Sequence, residues 1–470
     1  MPIAASEDRS FFGHPRGLSL LFLAEMWERF SYYGMRALLM LYMVHVLKWT
    51  DARAATLYGS YTGLTFLTPL FGGYLADKWI GTRRSLVVGG VIIACGHFVL
   101  ALDTLTTFYA GLALVVIGTG FFKPNVSTMV GQLYPAGDQR RDAGFTIFYM
   151  GINLGGTIAP FVCGFFAQSV LFRNTLIHAG IDPGRTWSWG FGAAGVGMLC
   201  GLALYLGLRD RYLPGIGVRA THTGPTLASR GQAATVAPEP PAGPLSPDER
   251  KRVISLLILF IFVACFWLVY EQGGSSLNLF ADRYTDLTFR GTPEPSSYFQ
   301  SAQPLFVILL APLFALLWTR LRKAGLEPST PAKMVYGLGL IAIGCLFLIG
   351  GGHVVDACKA SHAASCAVAS PGWLTTFYLF SVLGELCVSP VGLSYVTKVA
   401  PARWVGFLMG AWFLTNSSGL KLAGYVASLA STMPSQVSFF SILLVISSVA
   451  AGVLFLCVPT IKRLTASVQL

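Results

Sequence analysis

The chain has 470 residues, of which 54% are hydrophobic and only 11% are charged, and its formal net charge at pH 7 is +12. Because an average soluble domain carries about 25% charged residues, this composition disfavours a soluble enzyme and a nucleic-acid-binding protein despite the basic charge. The mean hydropathy of +0.62 and the 52 glycines are typical of packed helices in lipid. The nine cysteines form no CxxC motif, and none has a histidine at metal-ligand spacing, so no metal site is predicted.

Twelve apolar segments are predicted to cross a membrane as helices, since each approaches the length of about 20 residues that spans the hydrocarbon core of a bilayer. No cleavable signal pattern precedes the first segment, which is therefore expected to be the first span. That segment carries several charges, so a strict hydropathy window would reject it. The segments lie at about 17–44, 55–76, 85–102, 107–124, 143–168, 187–208, 251–280, 298–319, 332–351, 372–396, 404–429 and 437–460.

A polar segment at 209–250 separates the first six predicted spans from the last six. It is rich in proline and has no apolar run long enough to cross a membrane. The sequence therefore predicts an N-terminal six-helix bundle at 1–208, a cytoplasmic linker at 209–250 and a C-terminal six-helix bundle at 251–470.

The two predicted bundles are weakly similar to each other. Tyr149 and Asn153 stand one helical turn apart in the fifth span, as Trp412 and Asn416 do in the eleventh. Duplicated six-helix halves are the architecture of the major facilitator fold, in which the substrate site lies between the halves near the middle of the membrane. We therefore predict an all-α membrane protein with this fold.

The distribution of lysine and arginine predicts the orientation in the membrane. With the N-terminus in the cytoplasm, 22 of these residues fall in cytoplasmic segments and seven in outer segments, as the positive-inside rule requires. Both termini are therefore predicted to be cytoplasmic in a multi-pass protein of the inner cell membrane. Cys358 and Cys366 fall in an outer loop, where they could form a disulfide or remain free thiols.

Eight charged residues remain inside the predicted spans, and each costs at least about 2.5 kcal/mol near the bilayer centre. Because such residues usually face a cavity or a partner, they are the first candidates for function. The bases are Arg29, Arg36, Lys123 and Lys421, and the acids are Glu25, Glu28, Glu271 and Glu385.

The first span concentrates polar groups on one helical face. Glu25, Glu28, Arg29, Tyr32 and Arg36 follow the spacing i, i+3, i+4, i+7 and i+11. Two carboxylates beside one arginine form a group whose proton affinity depends on what binds nearby, so the pair is a candidate proton carrier. The alternative is a static buried ion pair that positions helices.

Charges elsewhere in the spans suggest a zwitterionic ligand. Lys123 precedes Pro124 in the fourth span and could offer a point charge to a carboxylate, or it could extend to the cytoplasmic edge of the membrane. Glu271 and Glu385 place isolated acids in the second half of the chain. A molecule with a cation at one end and an anion at the other would fit this division, while Lys421 could be a structural partner or a ligand.

Two further groups of residues are candidates. Aromatic and amide side chains near the buried charges can hydrogen-bond a peptide backbone, although each alone could be a packing residue: Tyr32, Tyr33, Tyr149, Asn153, Trp267, Gln303, Trp412 and Asn416. The glycine-bounded turn between the second and third spans could latch neighbouring helices or could be an ordinary basic loop, and its charged residues include Asp77, Arg83 and Arg84.

These residues together resemble a known family. The motif E-x-x-E-R-F-x-Y-Y-G is matched in full from Glu25 to Gly34, and it is the signature of the proton-dependent oligopeptide transporters, a branch of the major facilitator superfamily. The resemblance covers nearly the whole chain. It includes Gly13-His14-Pro15, Lys123-Pro124, Phe148-Tyr149, Phe266-Trp267, Glu271-Gln272, Gly384-Glu385 and Ala411-Trp412.

The resemblance implies roles for the charged residues. Glu25, Glu28 and Arg29 look like the proton-coupling group, with Lys123. Arg36 and Lys123 look like the partners of the peptide carboxylate, and Glu385 like the partner of its amino group. Glu271 resembles an acid that is protonated in the transport cycle and pairs with Arg36 in an outer gate. The residues that resemble pocket walls are Tyr32, Asn153, Trp267, Trp412 and the neighbourhood of Asn416.

Some positions depart from the family pattern. Gly59 stands where animal members have a histidine, so the glutamates are expected to carry proton coupling. Phe66 replaces a pocket tyrosine and removes a hydroxyl, and Gln303 replaces an asparagine that is one methylene shorter. The segment at 209–250 is too short for the two extra helices that many bacterial members carry between the halves.

The sequence therefore predicts a transporter without enzymatic activity that needs no cofactor beyond protons as the coupling ion. We expect symport of protons with di- and tripeptides by alternating access, in a lipid bilayer, by a protein that functions as a monomer and binds no nucleic acid. The alternative is proton-coupled transport of another small solute, such as nitrate or a peptide-like drug. A receptor or sensor is less consistent with the sequence, because no signalling domain is recognised.

Overall fold

The computed structural model describes residues 10–135, 137–218, 245–363 and 365–467, and these are almost entirely helical. Fourteen α-helices occur in the described residues: α1 (Gly17–His45), α2 (Asp51–Leu75), α3 (Thr82–Leu100), α4 (Leu105–Gln132), α5 (Arg141–Gln168), α6 (Val170–His178), α7 (Thr186–Tyr212), α8 (Pro247–Tyr270), α9 (Ser276–Tyr284), α10 (Ala302–Lys323), α11 (Thr330–Ala360), α12 (Pro371–Val399), α13 (Val405–Leu429) and α14 (Gln436–Leu464).

Short elements connect these helices. A hairpin pairs β1 (Thr288–Phe289) with β2 (Thr292–Pro293). One turn of π-helix, Ala76–Ile80, follows α2 directly. Single 3₁₀ segments lie at Pro183–Arg185, Glu271–Gly274, Ser296–Ser301, Ala402–Trp404 and Ala430–Thr432.

The long helices coincide with the predicted spans. All α-helices of the described residues except α6 and α9 have at least 19 residues, and these twelve match the twelve apolar segments in order. Nine of the described helical segments are long and apolar enough to cross a membrane, judged by length and composition alone. The helix α1 is not among the nine because of its charges, as its sequence predicts.

The predicted linker lies only partly within the described residues. Helix α7 ends at Tyr212 and α8 begins at Pro247, while residues 219–244, which include most of the predicted linker and the place of any extra helices, lie outside the described residues. A capping box fixes the start of α8. The Ser246 hydroxyl accepts a hydrogen bond from the Glu249 amide at 3.2 Å, and the Ser246 amide donates to the Glu249 carboxylate at 2.9 Å.

The described residues form two compact units whose boundaries do not follow the predicted linker. The first unit is drawn from Met1–Tyr42, Leu64–Val236 and Pro293–Leu305, and the second from Met43–Gly63, Ala237–Thr292 and Phe306–Leu470. Helices α1, α2 and α10 therefore contribute one part to each unit. The division into two six-helix bundles stays a prediction.

In the first unit, α3 packs against α4 and α7, and α5 packs against α7. Its core is a cluster of aliphatic and aromatic side chains, including Leu21, Phe122, Met198 and Tyr205, that are almost completely inaccessible to solvent. This core includes Leu18, Leu21 and Ala24 of α1, which lie directly before the signature motif, so it anchors the helix that carries the motif.

In the second unit, α11 packs against α12 and α14, and α8 packs against α13 and α14. A charged turn closes the end of α10. The Glu327 carboxylate accepts hydrogen bonds from Arg322 and Lys333, each at 2.6 Å. These two bonds lower the pKa of Glu327 to about 2, so the cluster stays ionised at any physiological pH.

The first turns of α2 also belong to the second unit, where they pack tightly on α13. Gly59 faces Gly424 so closely that a Cβ at Gly59 would lie 2.7 Å from the Gly424 Cα. Nearby, the Ser417 hydroxyl donates to the Gly63 carbonyl at 2.7 Å, and Lys421 donates to the hydroxyl of Ser60. Lys421 thus connects α13 to α2 within this unit.

Two ionic contacts and a disulfide link segments of the second unit. Arg283 forms a two-fold ion pair with Asp51, at 2.6 and 2.8 Å, and His45 contacts Asp282 at 2.6 Å. Cys358 and Cys366 form a disulfide, which settles the alternative that the sequence left open. Cys358 lies in the last turn of α11, and Cys366 lies in the segment between α11 and α12.

The Gly59 contact can be tested by adding one methyl group. We expect Gly59→Ala to force α2 and α13 apart and to lower the free energy of unfolding by about 1–3 kcal/mol, as overpacking does elsewhere. The measurement is the midpoint of thermal unfolding in detergent. Gly339→Ala in α11 is the matched control, because a Cβ there would meet no atom within 4 Å. Equal midpoints for the two variants would contradict this account of the contact.

Candidate functional site

The signature motif forms a buried ion cluster on α1. The Arg29 guanidinium contacts both glutamates: Nη2 donates to Glu28 Oε1 at 2.7 Å, Nε donates to Glu28 Oε2, and Nε lies 3.2 Å from Glu25 Oε1. The helical spacing of the motif brings these groups together, since Glu25 is one turn before Arg29. All three side chains are at most 4% exposed.

The cluster of these three residues is not balanced in charge. Arg29 makes two hydrogen bonds with Glu28 but a single contact with Glu25. The second oxygen of Glu25, Oε2, is buried and has no hydrogen-bond partner among the described residues. A buried carboxylate oxygen without a donor is costly, so the site favours a proton or a further cation beside Glu25.

Lys123 supplies that further charge. Its ammonium lies over the ring of Phe66, 4.1 Å from the ring centroid, and it is attracted to Glu25 and Glu28 and repelled by Arg29. Helix α4 continues beyond Lys123 to Gln132, so the side chain belongs to the helix interior and does not extend to the helix end. The ring of Phe66 thus forms a cation–π contact with Lys123.

Two tyrosines extend the cluster along α1. The Arg29 guanidinium lies 5.0 Å from the centroid of the Tyr32 ring, and Arg36 lies 5.6 Å from the centroid of the Tyr33 ring. The Tyr32 hydroxyl contacts the Thr65 hydroxyl at 3.4 Å. The sequence predicts Tyr32 and Arg36 on the same face as Arg29, but it contains no signal for Thr65, which comes from α2.

The amide candidates of the first unit lie on α5 and at the start of α10. Asn153 is 7% exposed and donates to the backbone carbonyl of Tyr149 at 3.0 Å, one turn earlier. Tyr149 is 38% exposed. Gln303 is buried, and the next residue, Pro304, and Tyr33 both pack against Gly156 of α5, which brings Gln303 to the neighbourhood of Tyr33.

The second unit holds the remaining aromatic and amide candidates on α8 and α13. Trp412 is 2% exposed and packs edge-on against Phe260, with 6.0 Å between centroids. Gly419 lets α13 approach Trp267, because a Cβ there would lie 2.8 Å from the Trp267 Cβ. Trp267 Nε1 and Asn416 Oδ1 are buried atoms with no hydrogen-bond partner in the part of the chain that the structure describes. This unit therefore has one hydrogen-bond donor, the Trp267 indole, and one acceptor, the Asn416 amide oxygen, that are not used within the described residues.

The two acids of the second unit occupy different surroundings. Glu271 is 4% exposed and begins the 3₁₀ segment that follows α8. Glu385 is 7% exposed, and its Oε2 accepts a hydrogen bond from the Tyr270 hydroxyl at 2.6 Å. The sequence analysis missed Tyr270. Its position directly before Glu271 and one turn after Trp267 was the available signal.

The predicted gating residues belong to separate places in the structure. Arg83 donates to Asp210 at 2.9 Å and to the Leu213 carbonyl at 2.5 Å, and so ties the start of α3 to the end of α7 within the first unit. Asp77 lies in the π-helical turn, and Arg84 is exposed. Arg36 belongs to the first unit and Glu271 to the second, so their pairing in a gate stays a prediction.

Among the described residues, no group of three or more histidine, cysteine, aspartate or glutamate side chains is arranged to hold a metal ion. The groups described above are fixed charges, hydrogen-bonding side chains and carboxylates.

Comparison with known proteins agrees with the signature motif. The family model described as the POT family matches residues 83–213 and 243–443. The chain is 35% identical to the peptide transporter YePEPT of Yersinia enterocolitica, over 98% of this chain and 97% of that protein. It is 31% identical to a di-/tripeptide transporter of Lactococcus lactis, over 98% and 99% of the two chains.

Solved structures show the same fold over the same length. A mutant of a peptide transporter POT in complex with alafosfalin is 34% identical, covers 98% of each chain and has a TM-score of 0.82. A POT family transporter in complex with a thioalcohol conjugated peptide is 30% identical, with the same TM-score, and covers 98% of this chain and 100% of that one. The fold is therefore the major facilitator fold of a multi-pass membrane transporter, and the chain belongs to the POT family, the proton-dependent oligopeptide transporters.

Proposed function

We propose that this protein imports di- and tripeptides across the inner cell membrane together with protons, by alternating access. The observation that carries the proposal is the buried cluster of Glu25, Glu28, Arg29 and Lys123, which combines two acids with two bases on packed helices. The names of the relatives support the substrate class, since they include peptide and di-/tripeptide transporters. The distribution of lysine and arginine supports cytoplasmic termini.

Proton coupling follows from competition inside the cluster. Arg29 is held mainly by Glu28, so a proton on Glu28 removes its charge and releases the guanidinium. Lys123, which is attracted to both glutamates, is then available to a substrate carboxylate, and Arg36 offers a second positive charge. A proton and a substrate anion therefore favour each other's binding, which is the linkage that symport requires.

The substrate's amino group needs an anion of its own. Glu385 fits that role because its carboxylate is buried and already oriented by a hydrogen bond. Glu271 completes the set as a second site of protonation that pairs with Arg36 in the outer gate. The remaining predicted contacts of the peptide are the aromatic and amide residues Tyr32, Tyr33, Phe66, Tyr149, Asn153, Trp267, Gln303, Trp412 and Asn416.

A second substrate class is favoured by one observation. A POT family transporter that is 28% identical to this chain, with a TM-score of 0.82, was crystallised in complex with 5-aminolevulinic acid. That compound carries an amino group and a carboxylate without a peptide bond, so a small zwitterion could use Glu385 and Lys123 in the same way.

Symport is tested with purified protein in liposomes. We expect an imposed pH gradient, acidic outside, to drive labelled dialanine into the liposomes above its equilibrium level, and unlabelled dipeptides to compete for uptake. The pH jump without protein is the control. Uptake at the same rate with and without the pH gradient would contradict proton coupling. Competition by 5-aminolevulinic acid but by no peptide would favour the second substrate class over peptides.

The role of Glu28 is tested by removing its charge. Glu28→Gln keeps the size of the side chain but cannot exchange a proton. We expect gradient-driven uptake of dialanine to fall at least about tenfold, while counterflow between peptide pools on the two sides of the membrane persists. Glu327→Gln is the matched control, since Glu327 lies in the turn between α10 and α11. Normal proton coupling in Glu28→Gln would remove Glu28 from the proposed role.

Arg29 is expected to be a structural requirement as well as a functional one. Arg29→Met leaves Glu25 and Glu28 buried without their shared cation, and breaking a buried ion pair costs about 3–5 kcal/mol. The thermal unfolding midpoint in detergent should therefore fall. Adding Glu28→Gln to Arg29→Met removes one of the two unpaired buried charges. The double variant should therefore recover part of the lost stability. If the double variant is no more stable than Arg29→Met, unpaired carboxylate charge is not the cause of the destabilisation.

A further inference from the structure

We propose that Tyr270 is a positioning residue that fixes the carboxylate of Glu385 for recognition of the substrate's amino group. This inference rests on the proposed function, in which Glu385 binds that group. Tyr270 itself does not contact the substrate in this proposal. It acts through the acid, and so determines how strongly the protein selects substrates with a free, charged amino terminus.

The hydrogen bond that carries the proposal is short and buried. The Tyr270 hydroxyl donates to Glu385 Oε2 at 2.6 Å, and the two residues are 8% and 7% exposed. A hydroxyl that donates to an ionised carboxylate at this distance forms a charge-assisted bond, roughly twice as strong as one between neutral groups. The bond also fixes the rotation of the carboxylate plane, and hence the direction of its other oxygen.

The donor is held firmly by its own helix. Tyr270 is the last residue of α8. Its ring packs against two aromatic rings one turn earlier, Trp267 at 5.1 Å edge-on and Phe266 at 5.7 Å between centroids. Phe266 is completely buried, so the phenol has little freedom to move away from Glu385.

The acceptor is placed by a glycine contact on the neighbouring helix. Gly384 precedes Glu385 in α12, and a Cβ at Gly384 would lie 2.6 Å from the Gly337 carbonyl oxygen of α11 and 3.1 Å from the Phe266 ring. The absence of a side chain lets α12 lie close to both α11 and α8. Two independently packed helices thus define the positions of the hydroxyl and the carboxylate, which is what a preorganised binding site requires.

Removal of the hydroxyl should weaken the recognition of one substrate group only. In Tyr270→Phe the ring and its packing remain, but the carboxylate loses a donor and its fixed orientation. We expect the affinity for dialanine to fall about tenfold, within the range expected for a hydrogen bond to a charged group. The affinity for N-acetyl-dialanine, which has no ammonium group to present to Glu385, should change less than about twofold.

Tyr378→Phe is the matched control. Tyr378 is a buried tyrosine of the same unit, and its hydroxyl donates to the backbone carbonyl of Gly273 at 3.5 Å. We expect this variant to leave the affinity ratio of the two dialanine compounds unchanged. Thermal unfolding midpoints for both variants establish that each is folded before binding is compared.

A double-mutant cycle isolates the pair. Glu385→Gln alone should weaken dialanine binding, and Tyr270→Phe should have no further effect in that background, because the residues act as one unit. Additive losses, or equal losses of dialanine and N-acetyl-dialanine affinity in Tyr270→Phe, would overturn the proposal alone. Wild-type protein that binds both compounds equally well would overturn the role of Glu385 in amino-group recognition, and with it this inference. Wild-type protein that binds neither compound would contradict the proposed function itself.

Discussion

The interaction on which the rest of the site depends is the sharing of one guanidinium by two buried carboxylates. Arg29 satisfies Glu28 almost fully and Glu25 only in part. In the low-dielectric interior such an arrangement is stable only while every charge has an opposite charge within reach. A proton, the ammonium of Lys123 or a substrate group can each alter that balance. In the proposed function, the buried charges that make α1 a poor membrane helix by composition are also the groups that respond to protons and to ligands.

The second unit also contains a buried carboxylate, but a different interaction orients it. Glu385 is buried, and its carboxylate accepts a hydrogen bond from the neutral phenol of Tyr270. Such a neutral donor orients a carboxylate without cancelling its charge. The cluster on α1 instead combines its carboxylates with the cations Arg29 and Lys123. The two kinds of stabilisation suit the two ends of a zwitterion, which is the physical reason to assign opposite ends of a peptide to them.

The sequence predicts the helices and the α1 face well, because both depend on local patterns. Apolar runs of about 20 residues gave all twelve long helices, and spacings of three and four residues brought Glu25, Glu28 and Arg29 together. Contacts distant in sequence could not be predicted in this way. The bond from Tyr270 to Glu385 and the contact of Lys421 with Ser60 join helices whose packing no local pattern describes. The unit boundaries inside α1, α2 and α10 have no local signal either, since a continuous helix shows no change of sequence pattern where its packing partners change.

Steric packing at Gly59 excludes one position at which a proton-binding side chain could lie. Gly59 stands where animal members of the family have a histidine, and the structure gives a reason why no side chain occurs there: a Cβ would come within 2.7 Å of the Gly424 Cα and 3.0 Å of the Leu420 carbonyl oxygen. A titratable ring at this position would require α2 and α13 to separate. The proposed proton-binding groups are the carboxylates on α1 and Glu271. The close packing of Gly59 and Gly424 supports that proposal because it leaves no room for a histidine at position 59.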